Sequence, residues 1–384
     1  MKGGYVKSVK YITHIKNVKG LTEEEKERLS KIEDKFAFRA NEYYLGLINW
    51  NDPADPIRRI IIPTEDEFVE WGSLDASGES KYVRVPGVEH KYRDTALFIS
   101  QDTCGAFCRF CFRKRLFMHE NKEVTRRYNE GIEYIRNHPE ILNVLITGGD
   151  PLIMSTPKLE DLIRKVAEIP HVRIVRIGTK IPLFNPYRIL EDPSLTDMIQ
   201  RYSNGDKKIY LMLHINHPRE LTKQSRQALK ILRQSGAALV NQTPLIRGVN
   251  DDPRVLADLF LQLNVLDIPP YYIFQCRPTL GNKTFAVPIA KGWDILEKAK
   301  DMVSGLGRRA RMVMSHKTGK IEILAVTPEH TVMKYHRNAD PENRSRVMIF
   351  KTNPEAFWLD DFDEYKAWLK QEGLEGDMDP YTYW

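Results

Sequence analysis

Three of the four cysteines in the chain, Cys104, Cys108 and Cys111, fall within eight residues in C-x3-C-x2-C spacing, and Cys276 stands far away. A secreted disulfide protein spreads an even number of cysteines along its length. A clustered triplet is instead a ligand set for soft metals in a reducing compartment, and it points to the cytoplasm. Three thiolates can hold three irons of a four-iron cubane and leave the fourth without a protein ligand. An open iron can take up a small molecule, as the free position of a catalytic zinc does. The alternative is a zinc site completed by His119 or Cys276. Zinc ligands usually come as two closely spaced pairs, and here there is one triplet.

The elements that must position this loop follow from hydrophobic rhythm. Short β-branched runs are expected as strands at Ala96–Gln101, Asn143–Thr147, Arg173–Gly178, Ile209–Ile215, Ala237–Thr243 and Tyr271–Cys276. Longer amphipathic segments are expected as helices at Val124–Asn137, Lys158–Glu168, Leu195–Arg201, Glu220–Ser235, Pro253–Leu263 and Ala290–Leu306. Strand and helix alternating six times imply an α/β fold with a parallel sheet and right-handed crossovers. The polar residues of interest, Gly148, Gly149, Asp150, His214 and Gln242, come where strands end. That is the active face of a barrel-like α/β fold. A partial (β/α)6 barrel fits, and rhythm alone leaves a doubly wound sheet open. Residues 1–90 are expected as a helical and loop-rich arm, with Thr22 and Glu25 in capping-box spacing. The barrel is expected over 91–307, a small β-rich region over 308–350, and an acidic, aromatic tail with one helix and an ordered end over 351–384.

Composition excludes several classes. The chain has 384 residues, 42% hydrophobic and 29% charged, which is ordinary for a globular protein. No apolar run of about 18 residues is present to span a bilayer. The basic start lacks an apolar stretch and a small-residue cleavage site, so no signal peptide and no membrane partner are expected. The net charge of +6 is unevenly spread: residues 351–384 hold three lysines against nine acids, about −6, leaving about +12 elsewhere. A basic body suits anionic small molecules, and no nucleic-acid motif accompanies it.

The triplet after the first strand of a six-unit barrel resembles the radical S-adenosylmethionine (SAM) superfamily. The likeness is closer to one branch of it. NDPADPIRRIIIP, HKYRDTALF, CFRKR, LITGGDPL, RIGTKIP, HINHPREL, NQTPLIRGVND and TLGNKTFAVPIAKG resemble the lysine 2,3-aminomutase family over roughly residues 42–325. The resemblance implies a [4Fe–4S] cluster on Cys104, Cys108 and Cys111, with SAM on the open iron as the source of a hydrogen-abstracting radical. It also implies pyridoxal 5′-phosphate (PLP) and migration of an amino group between adjacent carbons. Gly148, Gly149 and Asp150 would let the backbone approach SAM, which a glycine without Cβ permits. His214 and Gln242 would contact SAM at the ends of later strands. Lys320 would carry PLP, with Lys317 as the alternative, and Lys91 with Tyr92 would lie on the PLP side. Arg113 would grip the substrate carboxylate. A flavodoxin- or ferredoxin-type protein would supply the electron, and the oligomeric state stays open.

The chain departs from the lysine enzyme at four points. Phe110 replaces a histidine between the last two cysteines. Lys91 and Thr95 stand where two arginines hold the PLP phosphate. Arg277 and Val313 stand where two aspartates hold the distal ammonium of lysine. The C-terminal zinc cysteines are missing. A cation at position 277 repels an ammonium and attracts a carboxylate, with His316 as support. The expected activity is therefore a PLP-dependent radical SAM 2,3-aminomutase acting on an acidic, glutamate-like amino acid. Two rivals remain at this stage: a PLP-independent radical SAM enzyme acting on a protein lysine, and a non-catalytic iron–sulfur electron-transfer or sensor protein.

Overall fold

The computed structural model describes residues 9–118, 123–125, 128–203, 205–340 and 342–371. The aromatic end of the tail, expected to be ordered, lies outside these residues, as does His119. A two-residue pair, β1 (Tyr11–Ile12) and β2 (Ala40–Asn41), belongs to the N-terminal arm. The remaining strands form one sheet: β3 (Val83–Val85), β4 (Val88–Tyr92), β5 (Thr95–Gln101), β6 (Asn143–Gly148), β7 (Ile174–Thr179), β8 (Lys208–Leu213), β9 (Ala238–Pro244), β10 (Pro270–Phe274), β11 (Arg311–His316), β12 (Gly319–Val326), β13 (His330–Asn338) and β14 (Val347–Lys351). Spatial order follows chain order from one edge to the other. A doubly wound sheet needs a reversal of strand order, so that alternative is removed. Strands β5 to β11 run parallel, while β3, β4 and β12 to β14 extend the sheet antiparallel. The strands of the 308–350 stretch thus continue the main sheet, because β11 adds in parallel beside β10.

The crossover helices pack on one face of this sheet. Leu159, Leu162, Ile163 and Val166 of the helix Thr156–Ala167 recur at helical spacing and are buried. Asp252 caps the helix Pro253–Val265, with proline at its first turn. Along β7 and β9 fully buried residues alternate with partly buried ones. Val175 and Ile177 join the core under the helices, and Arg176 and Gly178 share the other face, as a period of two requires.

The sheet curls until side chains bridge its flanks. Lys91 Nζ donates to the His316 carbonyl at 2.7 Å, and Tyr82 Oη donates to the Lys317 carbonyl at 2.7 Å. Arg337 Nη1 on β13 donates to Thr95 Oγ1 on β5 at 3.3 Å. Side chains, not a strand ladder, span the opening of this partial barrel. Right-handed strand twist supplies the curvature.

The N-terminal arm lies over the cysteine loop. Its helix Glu23–Glu33 begins with the expected Thr22–Glu25 capping box. Leu29, Ile32, Phe36, Tyr44 and Ile60 form a second core with Ala106, Phe110, Phe184 and Phe285. Backbone and side chains are stitched together there. Arg39 Nε donates to the Cys104 carbonyl at 2.8 Å, and Asn41 Nδ2 donates to the Gly105 carbonyl at 3.0 Å. Among the described residues no helix is long and apolar enough to cross a membrane.

A buried ion pair anchors the arm to the barrel. Glu220 is fully buried, pairs with Lys180, and accepts from Tyr44 Oη at 2.6 Å and the Asn216 N–H at 2.6 Å. Lys180 also donates to the His214 carbonyl at 2.7 Å. Removing one partner of such a pair strands a buried charge and costs about 3–5 kcal/mol. Glu220→Ala should lower the free energy of unfolding by that amount, read in urea as a lower midpoint at unchanged slope. A loss under about 0.5 kcal/mol would show that Lys180 re-pairs without cost.

Candidate active site

The cysteine loop leaves β5 and folds between the arm and the strand ends. The thiols of Cys104, Cys108 and Cys111 are pushed up by burial, Cys108 to about 12, and at Cys104 the charge of Asp150 and the neighbouring cysteines add to it. Three such thiols cannot all ionise unaided, so the loop calls for a polycation to hold them as thiolates. An iron–sulfur cluster of the kind the triplet implies meets that need. Among the described residues no three His, Cys, Asp or Glu side chains gather closely enough for a single metal ion. Cys276 is buried outside the triplet, its Sγ facing its neighbour's carbonyl at 3.9 Å.

Gly148 and Gly149 lie against the start of this loop. The Gly149 N–H donates to the Gln101 carbonyl at 2.5 Å, and the Asp150 N–H donates to the Thr103 carbonyl at 2.9 Å. Gly148 has φ +118°, and a Cβ on either glycine would overlap the backbone of Gln101 or Thr103. The chain itself therefore requires glycine here, before any cofactor is considered. Asp150 also has a part within the chain. Its carboxylate accepts from the N–H groups of Leu152, Lys180 and Ile181 and from Thr179 Oγ1, tying the loop after β6 to the loop after β7. Burial raises it to about 6 in spite of those donors. His214 and Gln242 do meet, at 3.2 Å between Nε2 atoms. Burial, with Lys180 and Arg113 nearby, lowers His214 to about 4, so its imidazole is neutral.

Lys320 and Lys317 part company. Lys317 is 45% exposed, 3.8 Å from Asp360. Lys320 on β12 is half-buried on the concave face, its amine 4.3 Å from the ring centre of Tyr272 and 5.3 Å from that of Phe274. Burial and then the charges of Arg176, Arg337, Arg277 and Lys91 hold its amine well below the usual lysine range. A neutral lysine amine is a nucleophile towards a carbonyl. Arg176 and Arg337 were missed by motif reasoning. Arg176 is an arginine inside an otherwise apolar strand, a signal available from alternation alone. Arg337 reaches Thr95 and stacks 4.3 Å from the Tyr92 ring centre, so β13 brings a guanidinium to the position at which the resemblance places a phosphate arginine. Tyr92 is raised to about 12 by burial. Burial, aided by Arg277, brings Lys91 down to about 7.

The guanidinium of Arg113 is held by Glu79, at 3.0 Å from Nε and 2.7 Å from Nη2. Arg277 does not turn out to solvent: its guanidinium lies 3.5 Å from the Phe112 ring centre and 3.9 Å from Glu79. Its Nη1 is buried without a hydrogen-bond partner. Val313 is fully buried on β11 and offers nothing to an ammonium. His316 does not support Arg277, because its ring nitrogens face Thr318 Oγ1 at 2.7 Å and Asp360 Oδ2 at 2.9 Å. The acidic tail thereby grips the turn that leads into Lys320.

Comparison with known proteins agrees with this geometry. Residues 98–260 match the model of the radical SAM superfamily. The chain is 56% identical over 365 residues to "Putative L-lysine 2,3-aminomutase" of Aquifex aeolicus, covering 95% of this chain and 98% of that one. It is 37% identical over 300 residues to the L-lysine 2,3-aminomutase of Clostridium subterminale, covering 77% and 71%. It is 34% identical over 321 residues to the glutamate 2,3-aminomutase of Clostridioides difficile, covering 82% and 73%.

The cationic chamber has a pH signature. Lys91 is charged below about 7 and neutral above it. An anion bound beside it favours the charged form, so binding takes up a proton and weakens as pH rises through that value. A phosphate monoester is already a dianion above pH 7 and adds no opposing trend. Affinity for pyridoxamine 5′-phosphate, read by calorimetry, should fall up to about tenfold from pH 7 to 9, the loss of one charge-assisted contact. Lys91→Arg should flatten the profile, since arginine stays charged. A flat wild-type profile would separate Lys91 from the anion.

Proposed function

The chain belongs to the lysine 2,3-aminomutase family of radical SAM enzymes, and from that premise we propose that its preferred substrate is an amino acid with a distal carboxylate, glutamate rather than lysine. The cofactors of the family are a [4Fe–4S] cluster, SAM and PLP. When bound, the cluster and SAM supply hydrogen abstraction at Cβ, and PLP supplies a π-system through which nitrogen can migrate. Cys104, Cys108 and Cys111 would hold the cluster, and the backbone at Gly148 and Gly149, with His214 and Gln242, would face SAM. Lys320 would carry PLP through its neutral amine, with Lys91, Tyr92, Arg176 and Arg337 around the phosphate. The free thiols suit a reducing cytoplasm, and a flavodoxin- or ferredoxin-type protein is the class of electron donor.

The substrate reading rests on Arg277. A buried guanidinium with an unpartnered nitrogen is costly until an anion meets it. Burial lowers it to about 10, which still leaves it charged at neutral pH. The acid within reach, Glu79, is already shared among arginines, and Val313 is apolar. A lysine ammonium would find repulsion here, and a carboxylate would find a partner. Relatives are named for glutamate as well as for lysine, so the family is not confined to one substrate.

Anaerobic turnover of lysine and of glutamate should be compared in the wild type and in Arg277→Asp. The wild type should favour glutamate by at least about tenfold in kcat/KM, a difference near 1.4 kcal/mol. The variant should shift preference towards lysine, incompletely because Val313 still lacks a charge. Efficient lysine turnover by the wild type, unaffected by Arg277→Asp, would overturn the proposal.

A further inference from the structure

Glu79, so far only the shared counter-charge of the arginines, is heavily engaged on both carboxylate oxygens. It is 8% exposed and opens the turn Glu79–Tyr82, after Gly78 at φ +58°. The carboxylate of Asp75 accepts from the N–H groups of Glu79 at 2.8 Å and Ser80 at 3.0 Å, fixing the backbone of that turn. Glu79 Oε1 accepts from Arg113 Nη2 at 2.7 Å and lies 3.9 Å from Arg277 Nη1. Its Oε2 accepts from Arg113 Nε at 3.0 Å and from Arg115 Nη2 at 2.7 Å. Burial alone would raise this carboxyl, and Arg113, Arg115 and Arg277 more than reverse that, so it stays ionised.

The donors of Arg113 can be followed one by one. A guanidinium has five N–H groups. Glu79 takes Nε–H and one from Nη2, and Thr147 Oγ1 takes one from Nη1 at 3.1 Å. One N–H is left on each terminal nitrogen, which is the pair a carboxylate takes in a fork. Arg277 keeps its Nη1 free, and the nearest nitrogens of Arg113 and Arg277 flank the same oxygen of Glu79. Arg115 is paired a second time, by Glu123 at 2.7 Å, so Glu79 is the one carboxylate shared by Arg113 and Arg277, and that pair keeps one positive charge uncompensated. Glu89 nearby is pushed well above the usual carboxylate range by burial and by the charge of Glu79, so it is a poor source of that counter-charge.

We infer that Glu79 is a positioning and specificity-determining residue for the substrate: it pins Arg113 by one edge and holds Arg277 beside it, so that the two arginines present their free N–H groups to the two carboxylates of one short amino acid. This rests on the acidic-substrate reading proposed above. The chemistry also sets the shortest such molecule. A 2,3-shift of nitrogen in a four-carbon dicarboxylate regenerates the same compound, so the five-carbon acid is the shortest whose migration gives a new product. Misalignment of Arg113 would leave Cβ–H badly placed while the added positive charge still attracts the dianion. Loss of Glu79 should therefore appear in kcat and in coupling, and not as weaker binding.

Glu79→Gln in the cluster- and PLP-loaded enzyme tests this with glutamate as substrate. The expected result is a kcat at least tenfold lower, a KM unchanged or lower, and a similar fall in β-amino product formed per SAM consumed. SAM cleavage in the absence of substrate and the PLP absorbance should match the wild type. Thr147→Val, which removes the other tether of Arg113, should move kcat and coupling the same way by a few-fold, and serves if Glu79→Gln does not fold. A lower KM with kcat retained would make Glu79 an internal competitor for the carboxylate site and overturn the inference. So would kcat and coupling within twofold of wild type, or an equal loss of PLP absorbance and SAM cleavage, which marks a structural role. If the wild type forms no β-amino product from glutamate, the substrate reading itself fails, and that outcome is separate from the others.

Discussion

Positive charge without enough counter-charge, on side chains partly withdrawn from water, is the constraint around which the concave face of the sheet is organised. Lys320, Lys91, Arg176, Arg277 and Arg337 feel one another's fields there. Water is partly withdrawn, so each charge must be paired, lost or left waiting for an anion. All three solutions are present. Lys320 holds its proton far less tightly than an ordinary lysine, and Lys91 is poised to lose its own near neutral pH. Arg113 and Arg115 are paired by Glu79, and Arg337 by Asp94. Arg277 waits with an unpartnered nitrogen. The same shortage of acids that makes the empty face costly makes a nucleophilic amine and a receptor for phosphate and carboxylates. Stability is given up where function needs an unsettled charge, a trade seen widely in active sites.

That trade is tolerable because the surrounding frame is tightly determined. Strands in unbroken chain order place every loop of interest at one end of the sheet. The arm clamps the cysteine loop through Arg39 and Asn41, and the glycines after β6 let that loop lie directly on the next one. Asp150 then joins the second loop to the third, and Lys180 with Glu220 joins the third to the fourth. Each loop is located by its neighbour. From the far side, Asp360 of the acidic tail holds His316 and so steadies the turn before Lys320. Charge in the tail, which composition alone could only note as an imbalance, has this local use.

The six strand–helix units, the cysteine loop, the Thr22–Glu25 cap and the strand-like pieces after Arg309 were legible from pattern, because each depends on residues close in the chain. Arg277 was legible as a departure of charge. What escaped was side-chain partnership over long separations. Arg337 meets Thr95 only because the sheet curls, joining positions 242 apart in the chain. Glu79 sits in a turn with no periodicity, and its value lies wholly in arginines that arrive from elsewhere. His316 looked like a substrate contact until Asp360 was seen to hold it. The ties of Asp150 to three backbone N–H groups and the Thr179 hydroxyl were likewise invisible in its motif. Motifs report which residues are present at a strand end, whereas curvature decides which of them face one another.

The most direct measurement is chemical trapping at the concave face. The protein saturated with PLP under anaerobic conditions is reduced with borohydride, digested and mapped by mass spectrometry. A lysine amine kept neutral by its neighbours should capture the cofactor, and a single pyridoxyl group should be found on Lys320. Label on Lys317 or Lys91 instead, or no label at saturation, would contradict the assignment of Lys320 and the electrostatic reasoning that supports it.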